Sequence, residues 1–249
     1  VQFQRGMSLA SFHNQYGTVV KCRRALFQLK WPRGFVCPRC SGQRYSRIKQ
    51  PCRYQCLACH HQTSVTVGTL LENTKLPLTT WFLAAYLITQ SKNSVSSLSL
   101  KRLLGVSYNT AWRLKRKLIH AMQAHEDKCV LTGVIQVDDA YCGGKKKGGK
   151  RGRGAGQQPF VAAVSMGRQG PMRAKFTVVP SFKQQDLARW IQQHVAEQAH
   201  GMSDGMQGFA VFSRLGYRHT SMKTTSNAHA QDVVFRWVNT ILGNVKRAI

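Results

Sequence analysis

Two C-x2-C knuckles, Cys37-Pro-Arg-Cys40 and Cys56-Leu-Ala-Cys59, dictate what the front of this chain can become. Each knuckle sets two thiols on one tight turn, and the interval over 41–55 suits a tetrahedral site of four thiolates. That interval contains Tyr45 and Tyr54 and is long enough for a hairpin that brings the knuckles together. Zinc bound there would replace a hydrophobic core too small to fold the segment alone. Four thiolates leave no open coordination position, so the ion is expected to scaffold rather than catalyse. Cys22, Cys52, His60 and His61 have less suitable spacings and read as bystanders.

The charge balance narrows the partner. Against 37 Lys and Arg stand 9 Asp and Glu, a formal charge of +28, which calls for a polyanion such as nucleic acid. Membranes are also anionic, but the most apolar run, 81–88, is far short of the roughly 20 residues needed to cross a bilayer. No membrane association is expected. The opening Val1-Gln-Phe-Gln-Arg5 has no apolar secretory core, so the eight cysteines are expected in a reducing cytoplasm, as metal ligands before disulfides. A length of 249 residues implies two or three units.

Behind the knuckles, 78–90 reads as a helix with Thr79 or Thr80 as N-cap and Trp81, Ala84, Ala85 and Ile88 in helical spacing. After a Ser-rich stretch come a helix over 100–104, a turn at Gly105 and a second helix over 108–122 with Ser107 as N-cap. Ala111, Leu114, Leu118 and Met122 repeat every three or four residues on that second helix. Arg113, Lys115, Arg116 and Lys117 lie largely off that stripe, so one face packs and another can meet phosphates.

From Gly133 the pattern turns to strands. Val134-Ile-Gln-Val137 is short and apolar and reads as a strand ending in Asp138-Asp139. Alternation along a strand sends neighbouring side chains to opposite faces, so both aspartates reach one ligand only through a bulge. The next stretch carries Lys145, Lys146, Lys147, Lys150, Arg151 and Arg153 among glycines and is expected to be a loop that contacts DNA backbone without sequence preference. Strands over 160–164 and 175–179, joined by a Gly167–Gly170 turn, complete a three-strand meander. A helix over 183–197 leads to Ser203-Asp204-Gly205. Beyond it a helix over 206–215, a strand over 217–222 and a last helix from about His229 are expected, the last with Val234, Val238, Ile241 and Val245 inward. Asn239 and Lys246 are seven residues apart, within roughly 20 degrees on a helix, and so share a face.

In this order the chain resembles insertion-sequence transposases that join an N-terminal zinc ribbon to a catalytic core of the Asp-Asp-Glu superfamily, in its Asp-Asp-Asn-Lys variety. The resemblance rests on Thr69-Leu-Leu-Glu-Asn-Thr-Lys-Leu-Pro-Leu-Thr-Thr-Trp81, Leu104-Gly-Val-Ser-Tyr-Asn-Thr-Ala-Trp112 and Val137-Asp-Asp-Ala-Tyr-Cys-Gly-Gly144. It continues through Ser203-Asp-Gly205, Leu215-Gly-Tyr-Arg-His219, Val238-Asn-Thr240 and Val245-Lys-Arg247. It implies an α/β (mixed) protein with a ribonuclease H-like core preceded by a zinc ribbon and a helix-turn-helix. The corresponding domains are a zinc ribbon over 1–68, a helix-turn-helix region over 69–128 and a catalytic domain over 129–249. Relatives continue past the position of Ile249, so the last domain reads as C-terminally incomplete.

By the same resemblance Asp138 and Asp204 are metal ligands, Asn239 takes the third catalytic position and Lys246 contacts substrate DNA. Asp139 stands where the family usually has Glu, and Leu242 where relatives often carry an acid. The implied reaction is metal-dependent cleavage and strand transfer at insertion-sequence ends, with Mg2+ or Mn2+ as catalytic cofactor and Zn2+ as structural one. Double-stranded DNA is the implied partner, a homo-oligomer the implied state, and a nucleoid-associated cytoplasmic location the implied setting. The alternative is an inactive or truncated derivative that only binds DNA.

Overall fold

In the computed structural model, which describes residues 6–48, 52–90, 94–143, 156–168, 170–222 and 234–248, short strands flank the two cysteine knuckles. The chain divides into two units, Gly6–Gln123 and Ala124–Ile249. In the first, β1 (Tyr45–Arg47), β2 (Arg53–Cys56) and β3 (Gln62–Ser64) form an antiparallel sheet in that order, with Tyr45 opposite Cys56. The hairpin expected between the knuckles is thus β1 and β2.

Two helices that the sequence reading did not separate from the ribbon precede this sheet. They are α1 (Leu9–Tyr16) and α2 (Val19–Lys30), N-capped by the hydroxyls of Ser8 and Thr18. The second brings aromatic rings onto the small sheet: Phe27 lies 5.1 Å from Tyr54, and Trp31 lies 4.9 Å from Phe35, ring centre to ring centre. The Lys30 ammonium donates to the carbonyls of Ser64 and Val67, each at 2.7 Å, and ties α2 to the end of β3.

Next come α3 (Leu78–Gln90), α4 (Ser97–Leu104) and α5 (Tyr108–Asp127). The helix over 78–90 begins before both threonines expected to cap it. Leu78 is already its first residue and is buried, and the Thr80 N–H bonds the Pro77 carbonyl. Burial of Leu78 beside a proline that presets the first turn outweighs the capping preference of Thr79 or Thr80. The hydroxyl of Ser96 caps α4, which starts three residues earlier than expected. Gly105 ends α4 in the left-handed region at φ 64°, and Ser107 accepts the Thr110 N–H at 3.2 Å to start α5.

The second unit is built on a five-stranded sheet. Antiparallel β4 (Val134–Cys142), β5 (Gln158–Gly167) and β6 (Gly170–Val178) make the expected meander. Then α6 (Gln184–His194) leads to β7 (His200–Ser203), and β8 (Arg218–Ser221) follows a 3-10 turn over Gln207–Ala210 and the single turn α7 (Val211–Arg214). The strand order is β6-β5-β4-β7-β8, with β7 parallel to both β4 and β8. Alternate side chains serve two cores. Ile135, Val137, Val161 and Ala163 pack with Leu187, Trp190, Ile191, Phe209 and Phe212 on one face. Ala140, Phe160, Ala162 and Val164 pack against α8 (Arg236–Ala248) on the other.

Three expectations change here. The first strand does not end at Asp138-Asp139 but runs on through both to Cys142, because β5 pairs with it along its whole length. The single helix expected over 206–215 is a 3-10 turn followed by one α turn. Gly208 sits so tightly there that a Cβ would meet the Phe182 carbonyl at 2.7 Å. The residues of α8 that are buried are Val238, Ile241 and Leu242, joined by Phe235 just before it, while Val234 and Val245 are only partly buried. The helix expected from His229 overlaps 223–233, which lie outside the described residues.

His200-Gly-Met-Ser203 has weak strand propensity, yet it forms β7 because neighbours pair with it on both edges. Gly201 is part of the reason. A Cβ at that position would lie 2.9 Å from the Phe212 ring, so the strand needs glycine to lie this close to the core. Gly201→Ala should therefore lower stability by about 1 to 3 kcal/mol through overpacking. A urea midpoint that falls with an unchanged slope is the expected result; an unchanged midpoint would refute the tight contact.

Candidate functional site

The parallel register of β4 and β7 places Val137 opposite Ser203, so the next residue on each strand is an acid: Asp138 and Asp204. A carboxylate oxygen of Asp138, one of Asp139 and one of Asp204 all lie within 4.8 Å of one another. The chain has only nine acids against 37 basic residues, and three of them meet at one point.

The convergence of Asp139 corrects the expectation that a bulge would be needed. The pairing of β4 with β5 is regular from Val134 to Cys142, and alternation still sends Asp138 toward the α8 face and Asp139 toward the other. Among the described residues, β4 has no strand partner on the β7 side beyond Val137, and the three carboxylates meet at that edge.

Asp204 is held by its own turn. Its Oδ1 accepts the Met206 N–H at 3.2 Å across Gly205, whose φ of 91° is open to glycine but costly for other residues. Burial pushes the Asp138 carboxyl up to about 6; the neighbouring charges of Asp204 and then Asp139 add to the shift. The Asp139 backbone N–H and Lys246 oppose it. Lys246, exposed on α8, is therefore close enough to act electrostatically on Asp138. Asn239 lies on the same flank of α8 and is also exposed.

One functional residue escaped the sequence reading. Gln136, two positions before Asp138 and facing α8, is buried, and its Oε1 accepts the Val238 N–H at 3.1 Å. That amide belongs to the first turn of α8 and has no carbonyl partner within the helix. The bond seats the helix that carries Asn239 and Lys246 on the strand that carries Asp138. Its only sequence signal is a polar residue in the otherwise apolar run Val-Ile-Gln-Val.

The residues at this cluster fit a hard divalent cation: oxygen donors, like charges crowded together, and a carboxyl whose ionised form burial and its neighbours disfavour until a cation compensates it. The knuckles fit zinc. Cys37, Cys40, Cys56 and Cys59 all lie within 4.8 Å of one another, with Cys37–Cys59 and Cys40–Cys56 sulfur distances of 3.6 Å. Zinc–sulfur bonds of about 2.3 Å at tetrahedral angles require sulfurs roughly 3.8 Å apart. Backbone N–H groups of Arg39 and Ala58 point at the sulfurs of Cys37 and Cys56, each at 3.4 Å. The N–H groups of Cys59 and Ala58 lower the Cys56 thiol to about 7, favouring the thiolate that binds metal. Cys22 instead bonds the Tyr16 carbonyl within the helical core, away from the knuckles.

On α5, Arg113, Arg116 and Lys117 are exposed and Lys115 is partly buried. The Arg116 guanidinium lies 5.0 Å above the Trp112 ring. Lys115, Arg116 and Lys117 line a groove of about 920 Å3 together with Trp112 and His120. The expected loop contacts Lys145, Lys146, Lys147, Lys150, Arg151 and Arg153 fall outside the described residues.

Residues 18–62 match the family described as transposase zinc-ribbon domain, and residues 130–249 match the ISXO2-like transposase domain. A Halobacterium salinarum protein, described as an uncharacterized protein in transposable element ISH50, is 31% identical over 140 residues. The match covers 54% of this chain and 46% of that relative, so it spans under half the relative's length. No solved structure matches the chain.

Two outcomes test this geometry. Because the folded state holds the Asp138 proton more tightly than the unfolded chain, the stability this carboxyl contributes is present below about pH 4 and is lost as pH rises through about 6. In buffer free of magnesium and manganese, Asp138→Asn should thus stabilise the protein above pH 6 and match it near pH 4. Equal urea midpoints at both pH values would contradict the crowded-acid reading. Separately, Gln136→Leu should cost about 1 to 3 kcal/mol by stranding the Val238 N–H, with Gln136→Glu, which keeps an acceptor, costing less.

Proposed function

Because segments 18–62 and 130–249 belong to transposase families, we propose that the chain is a DNA transposase performing metal-dependent strand cleavage and strand transfer at insertion-sequence ends. The observation that carries this reading is the meeting of Asp138, Asp139 and Asp204 within 4.8 Å in a chain of charge +28. The sheet order β6-β5-β4-β7-β8, with acids on β4 and just after the parallel β7, supports a ribonuclease H-like core over 129–249. The ribbon over 1–68 and a helix-turn-helix region over 69–128, formed by α4, the Gly105 turn and α5, would hold the element's end.

In this reading Asp138 and Asp204 hold Mg2+ or Mn2+ through carboxylate oxygens, and Asn239 offers a neutral amide oxygen beside them. The bound ions would activate the attacking oxygen and stabilise the leaving one. Asp139, pressed close to the other two, adds negative charge that favours the cation's arrival. Lys246 neutralises part of this charge and meets a DNA phosphate. Arg113, Lys115, Arg116 and Lys117 bind backbone phosphates along the duplex, as does the basic stretch from Lys145 to Arg153. A homo-oligomer acting on paired ends completes the proposal.

The decisive experiment mixes the protein with a labelled inverted-repeat end in magnesium or manganese. Cleavage is expected, and Asp138→Ala and Asp204→Ala should each reduce it by at least about a hundredfold, given the share of the barrier such metal ligands carry. Binding of the same DNA should persist and weaken steeply with salt. If the wild type binds the end but never cuts it, and the two alanine variants behave identically, the chain is a DNA-binding derivative without catalysis.

A further inference from the structure

A second cluster of metal-binding side chains lies outside both sites described above, at the C-terminal turn of α5 within the second unit. One ligand atom from each of His125, Glu126 and Cys129 lies within 4.8 Å of the other two. Cys129 lies two residues past the end of α5, where the Lys128 and Cys129 N–H groups bond carbonyls three residues back, and this tighter turn brings its thiol next to His125. Their Nε2 and Sγ are 3.8 Å apart. A zinc ion bound at about 2.0 Å to nitrogen and about 2.3 Å to sulfur requires a separation of roughly 3.6 Å at the tetrahedral angle, which this pair nearly has.

Two independent features support a ligand here. Glu126 Oε2 is shielded from solvent and accepts no hydrogen bond, although the side chain as a whole is 44% exposed and the oxygen forms an ion pair with Arg173 Nε at 4.0 Å. An oxygen shielded from water and held only by an ion pair at that distance keeps lone pairs free to meet a cation. The backbone of the turn is also fixed in advance. Buried Lys175 donates to the carbonyls of Glu126 at 2.8 Å and Cys129 at 2.7 Å, and the Cys129 N–H bonds the Glu126 carbonyl at 3.1 Å. The three side chains thus project from a pinned turn, and the end of the helix dipole favours positive charge there. Arg173 and Lys175 border the cluster and oppose a cation. Against them stand the carboxylates of Glu126 and Asp127 and the thiolate that metal binding would create.

We propose that His125, Glu126 and Cys129 form a second zinc site, distinct from the four-cysteine knuckles. It would hold a borderline-soft divalent ion through imidazole, carboxylate and thiolate, with water in the fourth position. Thiolate and imidazole select this class over magnesium, and binding releases the Cys129 thiol proton to solvent. The bound ion would clamp the last turn of α5 just before β4 begins.

The test counts zinc per chain in the full-length protein carrying Asp138→Asn and Asp204→Asn, so that the carboxylate cluster contributes none. Two equivalents are expected. Adding His125→Ala and Cys129→Ser should leave one, held by the knuckles. Cobalt in place of zinc gives a second readout, since sulfur-to-cobalt absorption should fall by the share of one thiolate in five when Cys129→Ser is introduced alone. One equivalent before and after the substitutions, or two that survive them, would overturn the site, as would cobalt absorption that Cys129→Ser leaves unchanged.

Discussion

The parallel pairing of β4 with β7 governs this molecule's chemistry, since it brings together acids far apart in the chain. Once Val137 lies opposite Ser203, Asp138 and Asp204 must follow side by side, whatever the rest of the chain does. Three carboxylates within 4.8 Å repel one another, and burial removes the water that would screen them. Neither effect helps the fold; both raise the Asp138 carboxyl to about 6. An arrangement that costs stability and persists in the folded state is what a cation site needs before its cation arrives. The excess of basic residues elsewhere does not undo this, because charge at a distance is screened while the contact between the acids is not.

What could be read directly from the sequence was what depends on short spacing. The knuckles, the left-handed Gly105, the Ser107 cap and the meander are set by residues within a few positions of each other, and each is present. The failures share a physical cause. Leu78 starts α3 because the core takes its side chain, a fact no capping rule contains. The strand β7 exists because two neighbours pair with it, against its own propensity. Asp139 meets Asp138 at an edge of β4 where none of the described residues pairs with it, which the alternation rule cannot anticipate. Gln136 is informative only once its partner, the Val238 N–H more than a hundred residues away, is known.

The cysteine knuckles and the carboxylate cluster relate to folding in opposite ways. Sequence spacing suggested zinc as a substitute for a missing core, yet a ring of aromatic side chains lies under the ribbon: Trp31, Phe35 and Tyr54 are buried, with Phe27 and Tyr45 packed against them. Metal there adds to a core that α2 supplies in part, and the thiols, already 3.6 Å apart in pairs, need little rearrangement to bind. At the acids the core works against the charges, since the same burial that shapes the site raises the Asp138 carboxyl to about 6. Zinc at the knuckles would reinforce local packing; a cation at the acids would relieve local strain.

Helix α8 is positioned by both the apolar core and the strand that carries Asp138. Its apolar stripe of Val238, Ile241 and Leu242 fixes which side faces the sheet, and the bond from Gln136 fixes how far along the strand it sits. Rotation of about 100 degrees per residue then leaves Asn239 and Lys246 little choice of direction. Leu242, at a place where the resemblance leads one to look for an acid, is instead part of the buried stripe, so from this position the helix offers the cluster no further carboxylate, and, among the described residues, the one group of the helix that acts on Asp138 is the Lys246 ammonium. Strand β4 thus carries Asp138 and, two residues earlier, the side chain that registers the helix opposite it. A shift of that helix by a single residue would turn Lys246 away from Asp138 and remove one of the two influences that oppose the rise of the Asp138 carboxyl, the weaker one, while leaving burial and the two neighbouring acids in place.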